Sequence, residues 1–131
     1  MPIEVIQPTT VHDTTQFAYS HAVKMGDLIF VAGEVANDVN GNLVGEGDVA
    51  AQTEQVFKNL AAVLEAAGSG MDKVGKVTVF TTKLEYRPII HKIRSRIFEE
   101  AGHLPASTLA VVSSLADPRW LVEIEAVAAA S

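Results

Sequence analysis

An α+β fold is predicted, with a mixed β-sheet covered on one face by two helices. Three observations predict it. Residues 49–67 and 88–101 carry apolar side chains at helical spacing and stop at Gly68 and Gly102. Short β-prone runs surround them, separated by turn residues. Those runs close mainly as hairpins, which segregates the helices to one side of the sheet. Two helices leave the other face bare, and that face is expected to pack on other subunits.

The elements follow in order. Residues 3–7 alternate as a strand until Pro8 stops the run. Residues 17–24 are expected as a second strand. Met25-Gly26-Asp27 turns the chain into the apolar run 28–32, which makes a hairpin. Gly33-Glu34 ends it, and Asn40-Gly41 marks a further tight turn. Asp48 is placed to cap the helix over 49–67, whose Val56, Leu60, Val63 and Leu64 share a stripe. Glu54 and Lys58 stand in the favourable i,i+4 order on its outer side. Residues 73–82 form a strand. Pro88 suits the first turn of a helix running to Ala101, with Ile89, Ile93 and Ile97 on one stripe. Two strands flanking a turn at Ala116-Asp117-Pro118-Arg119 close the chain. The order is β-β-(short β)-α-β-α-β-β.

A chain of 131 residues, 48% hydrophobic, is expected to form one domain over residues 1–131. Charged residues are 20%, slightly lean, which favours an oligomer. The net charge of −6 disfavours nucleic acid as a partner, because phosphate binding needs a basic surface. There is no cysteine, so disulfides, a thiolate nucleophile and a cysteine-ligated metal are excluded. The start MPIEVIQPTT lacks a basic region and a long apolar run, and no apolar run reaches the length of a membrane span. A cytoplasmic protein without a membrane partner is expected.

Alternation places Leu121, Glu123, Glu125 and Val127 on one strand face, and Trp120, Val122, Ile124 and Ala126 on the other. Two carboxylates on an apolar strand have two readings. They reach a rim or pair with a cation, or one of them holds a proton for chemistry, with burial raising its pKa. Spacing does not separate these readings. His91 and Arg94 are surface neighbours on the second helix, with Arg94 close to its apolar side and Arg96 nearby. They form either a solvated basic face or an anion clamp, since a guanidinium matches a carboxylate. His12, His21 and His103 are scattered, so no metal site is expected. Tyr19 is read as partly buried, and Gly33 as either a close approach or a bulge. No phosphate loop or nucleophile elbow is present.

Several segments carry a resemblance. They are Ala18-Tyr19-Ser20-His21-Ala22-Val23, the stretch from Gly26 through Phe30 to Gly33, Gln52-Thr53-Glu54-Gln55-Val56 with Asn59-Leu60, Leu64-Glu65-Ala66-Ala67-Gly68, Lys76-Val77-Thr78-Val79-Phe80, and Val122-Glu123-Ile124-Glu125-Ala126. In this order, over nearly the whole chain, the sequence resembles the RidA/YjgF-like reactive imine/enamine deaminase family, formerly the L-PSP endoribonuclease family. The resemblance implies a chorismate-mutase-like homotrimer with a central barrel and ligand clefts between subunits. It implies cofactor-free hydrolysis of small 2-imino or enamine acids, aminomuconate-like ones included, to oxo acid and ammonia. Glu123 matches the residue that handles water or proton transfer, and Tyr19 and Gly33 match cleft residues. The family's carboxylate-gripping Arg follows a Pro-Xaa pair, and here Pro105-Ala106 is followed by Ser107 and then Thr108. A cation supplied from the helix by His91 or Arg94 is the expectation that follows. The substrate-binding set is then Tyr19, Gly33, His91, Arg94, Ser107 and Thr108, with Glu123 catalytic and a small carboxylate as ligand. The missing Arg keeps a second reading, a metabolite-binding trimer of the same family without turnover.

Overall fold

The structure, a computed structural model, describes residues 2–131. Six strands form one mixed sheet: β1 (Ile3–Ile6), β2 (Ala22–Met25), β3 (Leu28–Glu34), β4 (Val74–Thr81), β5 (Ala106–Val111) and β6 (Val122–Ala129). Their order across the sheet is β1-β2-β3-β6-β4-β5. Only β4 and β5 run parallel, joined through a helical crossover; every other pair is antiparallel. Helices α1 (Val49–Ala66) and α2 (Arg87–Ala101) lie on one face.

Both helices are bounded by the expected residues. Asp48 stays extended and its carboxylate accepts from the Ala51 N–H at 3.0 Å. Gly68 takes φ +80° and Gly102 φ +99°, the left-handed conformation that ends a helix at no steric cost. The core is one apolar cluster between sheet and helices. Ile29, Val77, Val79 and Ile124 meet Val56, Leu60, Val63 and Leu64 of α1 and Ile90 and Phe98 of α2. Phe57 and Phe98 join the helices edge-on, with centroids 5.8 Å apart.

Two expectations change. Residues 17–24 are not one strand: Thr15–Phe17 is a 3-10 turn, Ala18 is left-handed at φ 65°, and pairing starts only at Ala22. The cause is local hydrogen bonding. Asp13 accepts from the Thr15 N–H at 2.9 Å, which offers the backbone a turn in place of a ladder. Glu54 does not pair with Lys58 among the described residues; it meets Arg96 across the two helices.

The alternation of β6 decides what faces where. Val122, Ile124, Ala126 and Ala128 are buried under the helices. Glu123, Glu125 and Val127 lie on the open face, paired across β4 with Phe80, Thr78 and Lys76. Leu28 and Phe30 of β3 join that open face, and Ile3 and Val5 extend it at the sheet edge. The bare face read from the sequence is present; it is apolar over β1 and β3 and polar where β6 meets β4.

Candidate functional site

Glu123 is the centre of a cavity of about 560 Å³ whose walls include His12, Tyr19, Gly33, Asn37 and Trp120. Its position depends on Gly33. A Cβ built on Gly33 would stand 2.7 Å from Cδ of Glu123, so the carboxylate rests directly on the glycine backbone. Gly33 also lies in a bulge: β3 advances from Val31 to Glu34 while β6 advances only from Ala126 to Ile124. The bulge expected at Gly33 is present, and the close approach at this glycine is that of the Glu123 carboxylate. Glu125 is on the same face but exposed, and borders a different hollow with Phe30, Lys76 and Thr78. Burial raises the pKa of Glu123 above the ordinary carboxylate value, and the nearby charges of Glu125 and Glu34 raise it further. Burial also raises Tyr19, assisted by Glu34 and Glu123. Such a carboxyl can hold a proton and hand it to a bound molecule.

The extra residue of the bulge reverses the alternation beyond it. Glu34 therefore pairs with Ile124 and enters the buried side, 1% exposed. There it meets His21, whose Nδ1 lies 2.9 and 3.0 Å from the two carboxylate oxygens. The opposite ring nitrogen, Nε2, donates to the His12 carbonyl at 2.7 Å. Burial opposes the charged imidazolium, but the hydrogen bond and charge of Glu34 outweigh it and raise His21. Burial raises Glu34 as well, against the lowering effect of its hydrogen bond to His21. The loop carrying Tyr19 is fastened to this pair. Gln7 accepts from the His21 N–H at 2.8 Å and donates to the Thr14 hydroxyl at 3.0 Å, and that hydroxyl donates to the Tyr19 carbonyl at 2.7 Å. Burial and then the charge of His21 lower the pKa of His12.

Two amides on the buried side of α1 hold the other walls. Gln52, fully buried, accepts from the Leu121 N–H at 2.8 Å and donates to the Arg119 carbonyl at 3.0 Å. Asn59, seven residues on and so on the same helix face, donates to the Val35 and Asn37 carbonyls at 2.9 and 2.8 Å. Trp120, expected on the strand face of Val122, lies instead in the turn before β6, its backbone N–H donating to the Asp117 carbonyl at 3.0 Å. The sequence reading gave Gln52 and Asn59 no role. The signal that could have found them is a pair of amides inside an otherwise apolar helical stripe, which must bond to backbone.

The remaining candidates lie elsewhere. Ser107 pairs with Val77, which is buried beneath the helices, so Ser107 faces α2. Arg94 reaches it from α2, its Nη1 donating to the Ser107 hydroxyl at 2.9 Å. His91, exposed, borders the same hollow. Burial lowers the pKa of Arg94, and then the charge of Arg87 does so further. Thr108 points to the open face, where Lys76 donates to its hydroxyl at 2.7 Å. Ser107 and Glu123 thus occupy opposite faces of the sheet, on β5 at its edge and β6 in its interior. No single chain brings them together.

Among the described residues, no group of three or more His, Cys, Asp or Glu side chains converges as a metal site, and no helix is long and apolar enough to cross a membrane.

A family profile described as endoribonuclease L-PSP matches residues 11–130. A RutC family protein of Pyrococcus abyssi is 37% identical over 110 residues, which cover 84% of each chain. The 2-iminobutanoate/2-iminopropanoate deaminase of Rattus norvegicus is 34% identical over 112 residues, covering 85% of this chain and 79% of the rat protein. A Yersinia pestis protein of unknown function, of the conserved Rid protein family, has a solved structure that superposes with a TM-score of 0.89 at 31% identity, covering 98% of this chain and 99% of that one.

Proposed function

The chain belongs to the endoribonuclease L-PSP family, the RidA/YjgF-like proteins, and from that premise we propose that it is a cofactor-free hydrolytic deaminase of small reactive imine or enamine acids. Its site is a cleft between copies of a homotrimer. The observation that carries the reading is the Glu123 carboxyl, half-buried on Gly33 beside Tyr19, with its pKa raised. The activity for which the rat relative is named supports the reaction class.

The reaction adds one water to a C=N bond and releases ammonia. Protonated Glu123 gives its proton to the imine nitrogen, which makes the carbon electrophilic. The resulting carboxylate takes a proton from the attacking water, forming a carbinolamine. Glu123 passes that proton to the amine nitrogen, the C–N bond breaks as the carbinol oxygen forms the C=O bond, and the hydroxyl proton returns to the Glu123 carboxylate, so oxo acid and ammonia leave with Glu123 protonated again. General acid–base assistance of this kind contributes roughly 10²–10⁴ in rate.

The substrate carboxylate is gripped by Arg94, assisted by Ser107 and His91, from the neighbouring copy. This division answers the opposite-face geometry, since a second copy supplies what one chain cannot. Arg94 donating to the Ser107 hydroxyl supports this choice of cation, because Ser107 is the position at which the resemblance expects an arginine. RNA cleavage fits poorly: the residues lining the Glu123 cavity include no Lys or Arg, and the net charge is −6. Ser107 itself favours a second reading, a trimer that binds such acids without turning them over.

The test generates 2-iminobutanoate in situ and follows its loss by trapping with semicarbazide. The protein is expected to accelerate loss beyond buffer. Glu123→Gln should lower kcat about 100-fold or more. Arg94→Ala should raise KM about 10- to 100-fold, the value of one charge-assisted contact. Unchanged activity in both variants would sink the reading.

A further inference from the structure

Arg94 is not alone beside Ser107. Arg87, seven residues earlier on α2, lines with both of them a second hollow of about 380 Å³, whose remaining walls are Leu84, Leu109 and Val111. Ser107, Leu109 and Val111 alternate along β5, so the three share the strand face that looks at α2. Two guanidiniums and a hydroxyl therefore border one open hollow between strand and helix, the rest of whose wall is aliphatic.

Their situation is electrostatically unfavourable as it stands. The charge of Arg87 acts on Arg94 closely enough to lower its pKa. Arg87 opens α2, where the helix dipole repels cations, and that first turn holds no acidic residue. Among the described residues, neither arginine forms an ion pair. Arg96 takes Glu54 and Arg119 takes Asp117 and Glu46, while Glu85, two residues before Arg87, reaches neither guanidinium. A solvated basic face would splay its charges into water. Here Arg94 is half-buried and bonded to a strand hydroxyl. Like charges that border one hollow without a counter-ion are brought into balance when an anion joins them.

We propose that Arg87, Arg94 and Ser107 form a two-cation subsite whose ligand carries two carboxylates. This rests on the deaminase reading for its chemistry: one carboxylate is that of the imino acid on Arg94, and the second, at the end of the substrate side chain, meets Arg87. The preferred substrates are then imines or enamines of dicarboxylic acids, and Arg87 sets that preference.

The experiment has two arms. In the first, the full chain is titrated calorimetrically with unreactive succinate and butanoate. Succinate is expected to bind about tenfold more tightly, and Arg87→Ala to reduce it to the level of butanoate, with Arg87→Lys between them. Arg87 is exposed at a helix start, so these variants keep the fold. In the second arm, kcat/KM is compared for 2-iminoglutarate and 2-iminobutanoate, and their ratio should fall about tenfold in Arg87→Ala. Equal binding of the two acids, or a preference that survives Arg87→Ala, overturns the subsite. If succinate binds in an Arg87-dependent way but no imine is consumed, the subsite stands and the deaminase reading falls. If imines are consumed without a dicarboxylate preference, the reverse holds.

Discussion

Glu123 and Gly33 show how a catalytic candidate depends on an atom that is missing. Any side chain at position 33 would displace the carboxylate, because Glu123 Cδ already occupies the space of a Cβ. Glu125, two residues on, shares the open face and adds its charge to that of Glu34 in raising the Glu123 pKa. The direction has a consequence for pH. A raised midpoint keeps the acid form of Glu123 present at a pH where an ordinary glutamate is ionised, and that form is lost as pH rises through the midpoint. Glu125→Gln removes one of the repelling charges, so the Glu123 midpoint should move down, and with it the pH at which acid-form activity fades. Carboxyl ¹³C titration by NMR reads this directly, and a midpoint that does not move would show that Glu125 is too well screened to matter. The sequence placed both carboxylates on one face, because strand alternation needs only a count of two. It did not distinguish them, because which carboxylate is covered depends on the loops at residues 8–21 and 116–120.

Helix α1 has a second task besides packing. Its apolar stripe of Val56, Leu60 and Val63 fills the core, and Gln52 and Asn59 extend from the same buried side to the backbone of two separate loops. A buried amide has four hydrogen-bonding positions, and leaving the loop groups unpaired costs about 1–3 kcal/mol each. Gln52→Leu keeps much of the side-chain volume but strands the Leu121 N–H and the Arg119 carbonyl. Loss of about 2–4 kcal/mol is expected in urea unfolding. Trp120 is the sole tryptophan and sits between the two clamped residues, so its fluorescence in the folded state should change as well. Asn59→Leu should leave that emission closer to wild type, since it releases the opposite wall. The helix boundaries were legible from Asp48, Gly68 and Gly102, each of which acts through local geometry. The clamps were not, since Gln52 and Leu121 are far apart in sequence and meet only when β6 docks.

At the scale of the molecule, the sheet is finished on one side only. Ile3 and Val5 are 61% and 60% exposed, Leu28 and Phe30 45% and 40%, all on the face opposite the helices. An apolar face of this kind marks an interface. Three copies of the 14.0 kDa chain are the expected solution species. Sedimentation equilibrium should return that mass, and Phe30→Asp, which places a charge on the face without touching the core, should shift it towards monomer and abolish turnover together with it. A monomeric wild type would remove the basis for a site shared between copies.

Fold class, helix limits and the family were determined by the sequence alone, because capping, hairpin turns and apolar periodicity act over a few residues and leave their marks locally. The tertiary structure decided which residues meet. The bulge at Gly33 turned Glu34 inward to His21, which alternation alone would have left facing outward. The packing of α2 on β5 brought Arg94 to Ser107 and Arg87 to the hollow they border, and the twofold period of β4 and β5 put that group on the far side of the sheet from Glu123. Each of these contacts joins elements distant in the chain. Their geometry is set by packing and register across the sheet, and neither quantity is written in a short stretch of residues.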